Sequence, residues 1–451
     1  MSAAYQNIWQ NIWQNIRVIL IVLAWLAAIV QVMAGDAATG LLSEGLTGAA
    51  YLFGLYILMS LPMINRGSVM IIAFLGLLGA LILPEVTRDD LEAAGRYILI
   101  FAGLVATMFL AKITAQTMPS VRRTQDALAQ LPNEKRAVGL QLAGHAFGGV
   151  INTGAFAMLS AALPRDADHL SRVKAAQAAL RGMNSSVVWS PFFVSFAVGQ
   201  VFIDARSAWI AIGIGVFTSL LFMMVTLPIF TPKLSRTVIK ASLACLKPVS
   251  MRLIFVLISV LAAALIFDLT ALSAVVVVMP VIILIQFVRQ PQNVKEILTL
   301  TRSALTQVAD DIVVISAAMI LGFLVTSTDA IAPFLAMMPV DVVHGAIALI
   351  ATPVVMCLAS FIGVHPVISS TFLLALFSGG GADVSPALLM QAHMIGWGAG
   401  TMSSLASLSV ISCSTLYQVS TRELALGANA YAALGFATVG GVMLSLINVF
   451  F

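Results

Sequence analysis

The chain has 451 residues, of which 60% are hydrophobic and only 9% are charged. Soluble domains contain about 25% charged residues, so this composition excludes a water-soluble globular protein and predicts an all-α polytopic membrane protein. Cys245, Cys357 and Cys413 lie in apolar stretches without a CxxC or metal-ligand spacing, which excludes a disulfide framework. The formal net charge of +4 can be interpreted only once the charges are assigned to the two sides of a bilayer. We expect no nucleic-acid partner.

A helix that crosses the bilayer core needs about 20 apolar residues. Runs of this kind predict spans near 18–34, 47–64, 68–84, 96–116, 207–231, 251–267, 269–288, 306–327 and 425–449. Three further regions, 139–163, 176–203 and 343–417, are apolar but interrupted by Gly, Pro, Asn, Ser and Thr. Such interruptions survive in a membrane only where they are buried in protein or line a cavity. We therefore expect the functional site there, and about eleven transmembrane helices in total.

The distribution of Lys and Arg predicts the orientation of the chain. With a cytoplasmic N-terminus, a hairpin at 139–163 that enters and leaves on the cytoplasmic side, and one at 343–379 that does so outside, only Arg88, Arg96 and Arg206 fall outside. The other 20 of the 23 basic residues are then cytoplasmic. We therefore expect a multi-pass protein of the cytoplasmic (inner) membrane with two re-entrant hairpins.

Two stretches of the first half recur in the second half. HAFGGVINTGAFAMLSAAL (145–163) is similar to ASFIGVHPVISSTFLLALF (359–377), and RGMNSSVVWSPFF (181–193) is similar to AGTMSSLASLSVI (399–411). In the predicted topology the two halves run in opposite directions through the membrane. Inverted repeats with broken helices that meet near mid-membrane are typical of secondary transporters, and the solute site lies between the repeats.

These boundaries predict four parts of the chain. They are 1–46, an N-terminal interfacial helix (6–16, QNIWQNIWQNI) and first span; 47–231, repeat 1 with hairpin 139–163 and broken span 176–203; 232–250, a cytoplasmic linker; and 251–451, repeat 2 with hairpin 343–379 and broken span 388–417.

Each repeat has a polar hairpin tip and a polar bend in its broken helix. The tips read Ile151-Asn152-Thr153 and Val364-His365-Pro366-Val367 before Ser369-Ser370, and the bends read Asn184-Ser185-Ser186 with Ser190-Pro191 and Thr401-Met402-Ser403-Ser404 with Ser407. In these features the chain resembles the ion transporter superfamily, and most closely the divalent anion:sodium symporter family of dicarboxylate and citrate carriers, whose hairpins carry Ser-Asn-Thr tips. The resemblance implies a scaffold and a transport domain, an elevator-like movement, a homodimer and an anionic substrate. The second tip lacks the Ser-Asn-Thr pattern, so Na+ and H+ remain alternatives as the coupling ion.

The candidate site residues follow from the tips and bends. Those expected to bind the solute are Asn152, Thr153, Asn184, Ser185, Ser186, Ser190, Pro191, His365, Pro366, Ser369, Ser370, Thr401, Ser403 and Ser404. Those expected to take part in ion coupling are Gly149, Asn152, Gly363, His365 and Asp310.

Each candidate also has a purely structural alternative. Asn152 and Thr153 can cap their own turn, and His365, which can carry a proton near neutral pH, can also stay neutral and bond a carbonyl. Asp310 can complement the start of its helix, although carboxylates inside a membrane are usually functional. Arg181, just before the first bend, can anchor the helix at the interface or attract an anion.

The function predicted from these observations is secondary active transport of a small anionic solute, coupled to Na+ or H+, and not enzymatic catalysis. The sequence has no GxxxxGK[ST], HExxH or GxSxG pattern, so an ATP-driven motor, a zinc protease and a serine hydrolase are all disfavoured. The alternatives are an exporter or antiporter of the same superfamily, a passive channel, a membrane subunit of a multi-component transporter and, less favoured, an intramembrane enzyme. We expect no cofactor other than the transported or coupling ions, and the lipid bilayer and a second copy of the chain as partners.

Overall fold

The computed structural model describes residues 3–327, 344–379 and 383–450, and within these ranges every regular element is a helix. In chain order the helices are α1 (Ala3–Ala34), α2 (Leu41–Ser60), α3 (Arg66–Ile82), α4 (Arg88–Thr117), α5 (Pro119–Ala129), α6 (Asn133–Ile151), α7 (Gly154–Ser160), α8 (His169–Ser186), α9 (Val194–Gly199), α10 (Ala205–Phe230), α11 (Arg236–Ala244), α12 (Lys247–Ile266), α13 (Ala271–Arg289), α14 (Val294–Gln307), α15 (Ala309–Ser327), α16 (Gly345–Phe361), α17 (Pro366–Ser378), α18 (Pro386–Ser403), α19 (Leu408–Tyr417), α20 (Thr421–Ala425) and α21 (Ala428–Asn448). Part of predicted repeat 2, including residue 343 at the start of its hairpin, lies outside the described residues.

Nine stretches of helix in the described ranges are long and apolar enough to cross a bilayer. They are Asn11–Ala34, Leu41–Met63, Arg88–Thr117, Ala205–Phe230, Lys247–Ile266, Ala271–Arg289, Ala309–Ser327, Pro386–Tyr417 and Thr421–Asn448. The prediction of an all-α polytopic membrane protein is thereby confirmed. The total of about eleven spans and the inverted repeat stay predictions.

The N-terminal helix is continuous. α1 runs without interruption from Ala3 to Ala34, because no Gly or Pro separates the QNIW repeats at 6–16 from the apolar run of the first span; the interfacial position of 6–16 stays a prediction. Arg17 is buried where the two parts join. Its Nε donates to Ser60 Oγ at 3.0 Å, and its guanidinium lies 5.4 Å from the centre of the Tyr56 ring, so the charge is stabilised by neutral and aromatic groups of α2.

The chain forms two compact units, each assembled from two separate segments. Unit 1 contains residues 1–114 and 260–333, and unit 2 contains residues 115–259 and 334–451. The chain therefore passes from unit 1 into unit 2 twice, once in each half of the sequence. Both hairpins and both interrupted helices belong to unit 2.

Glycines allow the long helices of unit 2 to pack backbone against backbone. A Cβ at Gly182 of α8 would lie 2.9 Å from the carbonyl carbon of Gln141 of α6, and a Cβ at Gly144 of α6 would lie 2.9 Å from the Ala179 oxygen of α8. In the second half, a Cβ at Gly396 of α18 would lie 2.9 Å from the Cα of Pro353 in α16. Small residues of this kind drive helix association in membranes, where the hydrophobic effect between helices is weak.

The helix contacts within unit 2 are reciprocal between the two halves. α6 packs along α8 and α7 returns against α6, while α16 packs along α18 and α17 returns against α16. In addition, α7 contacts α19 and α17 contacts α9. The second helix of each hairpin thus packs on the segment that follows the interruption in the other half. α8 and α18 contact each other directly.

Candidate functional site

The first interruption separates α8 from α9 at residues 187–193. Pro191 has no backbone N–H and disfavours helical geometry in the residue before it, which ends the helix locally. Ser190 Oγ donates to the carbonyl of Gly149 at 2.6 Å and accepts from the Phe192 N–H at 3.2 Å. The interruption is therefore bonded to the last turn of α6, just before the tip of the first hairpin.

The second interruption separates α18 from α19 at residues 404–407. Ser404 leaves the helix with extended backbone angles (φ −94°, ψ 130°), and its Oγ accepts from the Ala406 N–H at 3.3 Å. Ser407 caps the start of α19 by accepting from the Val410 N–H at 3.1 Å, and its hydroxyl donates to the Thr401 carbonyl at 2.7 Å. Side chains of the bend thus replace some of the helical hydrogen bonds that the interruption removes.

The ends of the two interrupted helices contact each other. Thr401 Oγ1 of α18 lies 2.7 Å from Asn184 Oδ1 of α8, and Asn184 Nδ2 donates to the Leu180 carbonyl at 2.9 Å. Gly398 permits this approach, since a Cβ there would lie 2.8 Å from the Asn184 carbonyl oxygen. Residues of the two predicted bends, which lie 217 positions apart in the chain, therefore form one site.

Asn152 and Thr153 form the tip of the first hairpin. Asn152 has a positive φ of 52° with ψ −138°, a backbone conformation that side chains rarely adopt, and its Oδ1 accepts from the Thr153 N–H at 2.6 Å. The side-chain oxygen of Asn152 therefore bonds the backbone of its own turn. Its Nδ2 can still donate a hydrogen bond to another group. Behind the tip, the ring of Trp189 lies so close to Gly149 that a Cβ there would be 2.5 Å from ring carbons.

His365 caps α17 at the tip of the second hairpin. Its Nδ1 accepts from the Val367 N–H at 3.2 Å, so a neutral ring carries its proton on Nε2. Gly363 supplies the turn with its positive φ of 88°. The imidazole lies edge-on to Trp397 of α18, with ring centres 6.3 Å apart. The tip therefore presents an N–H donor beside the second interrupted helix.

The predicted site residues differ in how accessible they are. Asn152, Thr153, His365 and Thr401 are partly accessible, and Gly363 is exposed. The other predicted binding residues and Gly149 are buried, and several of their hydroxyls bond local carbonyls: Ser185 to Gly182, Ser186 to Met183 and Ser369 to Pro366.

Asp310 belongs to unit 1, where it bonds the start of another helix. Its Oδ1 accepts from the backbone N–H of Asn65 at 2.9 Å, and its Oδ2 accepts from Asn65 Nδ2. Asn65 in turn caps α3 by accepting from the Ser68 N–H. Asp310 thus lies in the first turn of its own helix, α15, and also bonds the start of a second helix, α3.

His393 is a site residue that the sequence did not single out. It is fully buried in α18, where Nε2 lies 2.9 Å from the Ser195 carbonyl of α9 and Nδ1 lies 2.9 Å from Ser370 Oγ of α17. Because a carbonyl can only accept, Nε2 carries the proton and a neutral Nδ1 accepts from Ser370. The ring thus connects the second hairpin to α9, and these partners, 23 and 198 positions away, leave no local sequence signal.

Two further polar groups complete the surroundings of the interruptions. With its amide nitrogen oriented towards them, Gln391 donates to the carbonyls of Val188 and Ala211 at 3.0 and 2.9 Å. Ser403 Oγ donates to the Asn429 carbonyl of α21 at 3.0 Å. The carbonyl freed at the first interruption and the hydroxyl at the end of α18 are therefore both satisfied within unit 2.

The described residues contain no group of three or more His, Cys, Asp or Glu side chains that could hold a metal ion. The arrangement offers hydroxyl, amide and imidazole donors. No protein-family model matches the chain, and no curated protein sequence is significantly similar to it.

Proposed function

We propose that this protein is a secondary active transporter that carries a small anionic solute across the cytoplasmic membrane, driven by Na+ or H+. The observation that carries the proposal is the contact between the two interrupted helices, where Thr401 Oγ1 lies 2.7 Å from Asn184 Oδ1. An interruption removes helical hydrogen bonds in a region where lipid offers no substitute. Pairs of interrupted helices surround the solute in many secondary transporters, and this precedent supports the same role here.

The accessible polar groups around the contact suit an oxyanion. Asn152 Nδ2, His365 Nε2 and the hydroxyl of Thr153 can donate hydrogen bonds, and all three residues are partly accessible. None of them carries a fixed positive charge, so the solute would be held by neutral donors. This favours a small solute of low charge over a citrate-like trianion.

The transport mechanism that we propose is an elevator. Unit 2 contains both hairpins and both interrupted helices and would carry the solute, and unit 1 would serve as the scaffold of a homodimer. The reciprocal packing of α7 on α19 and of α17 on α9 is what an internal two-fold relationship produces, and it supports the inverted repeat. An inverted repeat lets one site open to either side of the membrane in turn.

Uptake by proteoliposomes tests this proposal. Labelled acetate, lactate, succinate, citrate and sulfate are offered under an imposed Na+ gradient, an imposed proton gradient or neither. We expect gradient-driven accumulation of at least one of them. Thr401→Val should reduce that uptake about tenfold, because it removes a hydroxyl in hydrogen-bond contact, where each lost bond of about 1.4 kcal/mol corresponds to a factor of ten.

Thr415→Val is the matched control. Thr415 lies on α19 in the same unit, is exposed, and its hydroxyl bonds the Ile411 carbonyl of its own helix. Its substitution should leave uptake unchanged. Accumulation that ignores both gradients, no accumulation of any compound, or equal effects of the two substitutions would contradict the proposal.

A further inference from the structure

One charged side chain is buried near the interruptions of unit 2. Arg181 is 3% exposed and lies on α8, three residues before Asn184. Among the charged side chains that the structure describes in unit 2, only Arg136 is buried to a similar degree, at the start of α6, where its Nη2 donates to the carbonyls of Ala129 and Leu131. Arg181 is therefore the charge closest along the helix to the contact between the two interrupted helices.

Neutral groups hold the Arg181 guanidinium. Nε donates to Gln141 Oε1 at 3.2 Å, Nη1 donates to Asn429 Oδ1 at 2.7 Å, and the guanidinium carbon lies 4.1 Å from the centre of the Phe230 ring. No Asp or Glu in the described ranges forms an ion pair with it. An arginine stays protonated at neutral pH, so its charge is solvated by amides and an aromatic face but is not cancelled by a carboxylate.

Arg181 lies near the C-terminal ends of the two interrupted helices, α8 and α18. α8 ends at Ser186, five residues beyond Arg181, and α18 ends at Ser403, whose hydroxyl donates to the carbonyl of Asn429. The C-terminal end of a helix carries a partial negative charge. In transporters with interrupted helices, such ends commonly coordinate the coupling cation. Here a guanidinium lies on α8 five residues before its end and is bonded to Asn429, the residue whose carbonyl accepts from Ser403 at the end of α18.

We propose that Arg181 is the built-in positive charge of the solute site and that the solute is a small monovalent anion, such as a monocarboxylate. This proposal rests on the proposed function. Arg181 acts through space, without contacting the solute, because the residue is only 3% exposed and its Nε and Nη1 donate to Gln141 and Asn429. One fixed positive charge balances one negative charge of the solute, whereas a dianion would need a co-bound coupling cation to avoid an excess charge in a region of low permittivity.

Differential thiol modification measures this charge without a known solute. A thiol is introduced by Thr401→Cys, and the reaction rates of an anionic (ethylsulfonate) and a cationic (ethyltrimethylammonium) methanethiosulfonate are compared in purified protein. The native cysteines are buried, and the parent chain gives their background rate. Arg181 lies about 4.5 Å of helix rise before Asn184, whose Oδ1 is 2.7 Å from Thr401 Oγ1, and over such separations a unit charge acts appreciably within a protein. We expect Arg181→Gln to lower the anionic-to-cationic rate ratio at least roughly fivefold.

Three further variants keep the test decisive. Arg136→Gln removes the other buried arginine of unit 2 and should leave the ratio within twofold of the parent. If Arg181→Gln does not fold, Arg181→Lys should keep the ratio, and Asn429→Asp, which places a carboxylate against the guanidinium, should lower it. A fall smaller than fivefold on neutralising Arg181, or an equal fall with Arg136→Gln, overturns the charge assignment.

Uptake separates this inference from the proposed function. Among lactate, succinate and neutral lactamide, we expect lactate to accumulate, and Arg181→Gln to reduce its uptake at least tenfold while Arg136→Gln does not. Preferential accumulation of succinate overturns the monoanion assignment. A rate ratio that depends on Arg181 without uptake of any compound would refute the transporter proposal while supporting the position of the charge.

Discussion

The packing of α10 against the first interruption yields a prediction that the structure makes quantitative. A Cβ at Gly215 would lie 2.7 Å from the carbonyl carbon of Val188 and 2.9 Å from the Cα of Trp189. Heavy atoms pack at about 3.5 Å or more, so Gly215→Ala requires a backbone shift of at least roughly 0.8 Å. The Val188 carbonyl is itself held by Gln391 at 3.0 Å, which opposes this shift.

Gly213, two residues earlier in the same helix, is the matched control. A Cβ there meets no atom of the described residues within 4 Å. Both substitutions gain about 0.5–1 kcal/mol of helix stability from replacing glycine, but only Gly215→Ala also has the cost of overpacking, about 1–3 kcal/mol. The gain in helix stability is the same for Gly213→Ala and Gly215→Ala, so it cancels when the two variants are compared. Domains of comparable size shift by about 2–4 °C per kcal/mol, so Gly215→Ala should unfold roughly 2–12 °C below Gly213→Ala.

A thiol-reactive fluorogenic dye measures this difference in detergent solution. Cys245, Cys357 and Cys413 are all buried and all belong to unit 2, so dye labelling on heating reports the unfolding of that unit. If Gly215→Ala unfolds at or above the temperature of Gly213→Ala, the close contact between α10 and the first interruption is wrong.

Three other predictions concern single side chains. Asp310→Ala should lower the local opening free energy of the first turn of α3 by about 1–3 kcal/mol, because Asn65 loses two hydrogen bonds to a carboxylate; amide hydrogen exchange of that turn measures this, and unchanged exchange contradicts it. His393→Leu should raise amide exchange in α9 by removing two hydrogen bonds that connect it to the second hairpin, and exchange in α3 serves as the internal reference. Asp204 caps α10, and hydrogen bonds from the side chain and backbone N–H of Ser207 hold its pKa below the ordinary value of 3.8. The stabilisation of the protein by this cap should therefore be complete above about pH 4. It should be lost as the pH falls through the lowered pKa. Asp204→Asn, which keeps a capping group, should remove that acid dependence from the unfolding temperature measured between pH 7 and 3, and an unchanged dependence would contradict the prediction.

The sequence locates the interruptions of the helices but not all of their contacts. A helical hydrogen bond joins residues four positions apart, so Pro191 and the turn at Gly363 can end helices wherever they occur. The burial of a predicted site residue does not follow from the local sequence, because it depends on which face of its helix packs against another helix. Ser185 and Ser186 were predicted to bind solute with the same reasoning as Thr401, yet both are fully buried and donate to carbonyls of their own helix.

The sequence alone therefore determined that this is an all-helical membrane protein and where its polar tips and bends lie, because composition and helix-ending residues act locally along the chain. The tertiary structure decided which of these groups meet. Thr401 reaches Asn184 across 217 positions, His393 reaches Ser195 across 198, and Arg181 reaches Asn429 across 248. Such pairs arise from the close approach of helices at glycines such as Gly398, and the hydropathy of either segment contains no information about its partner.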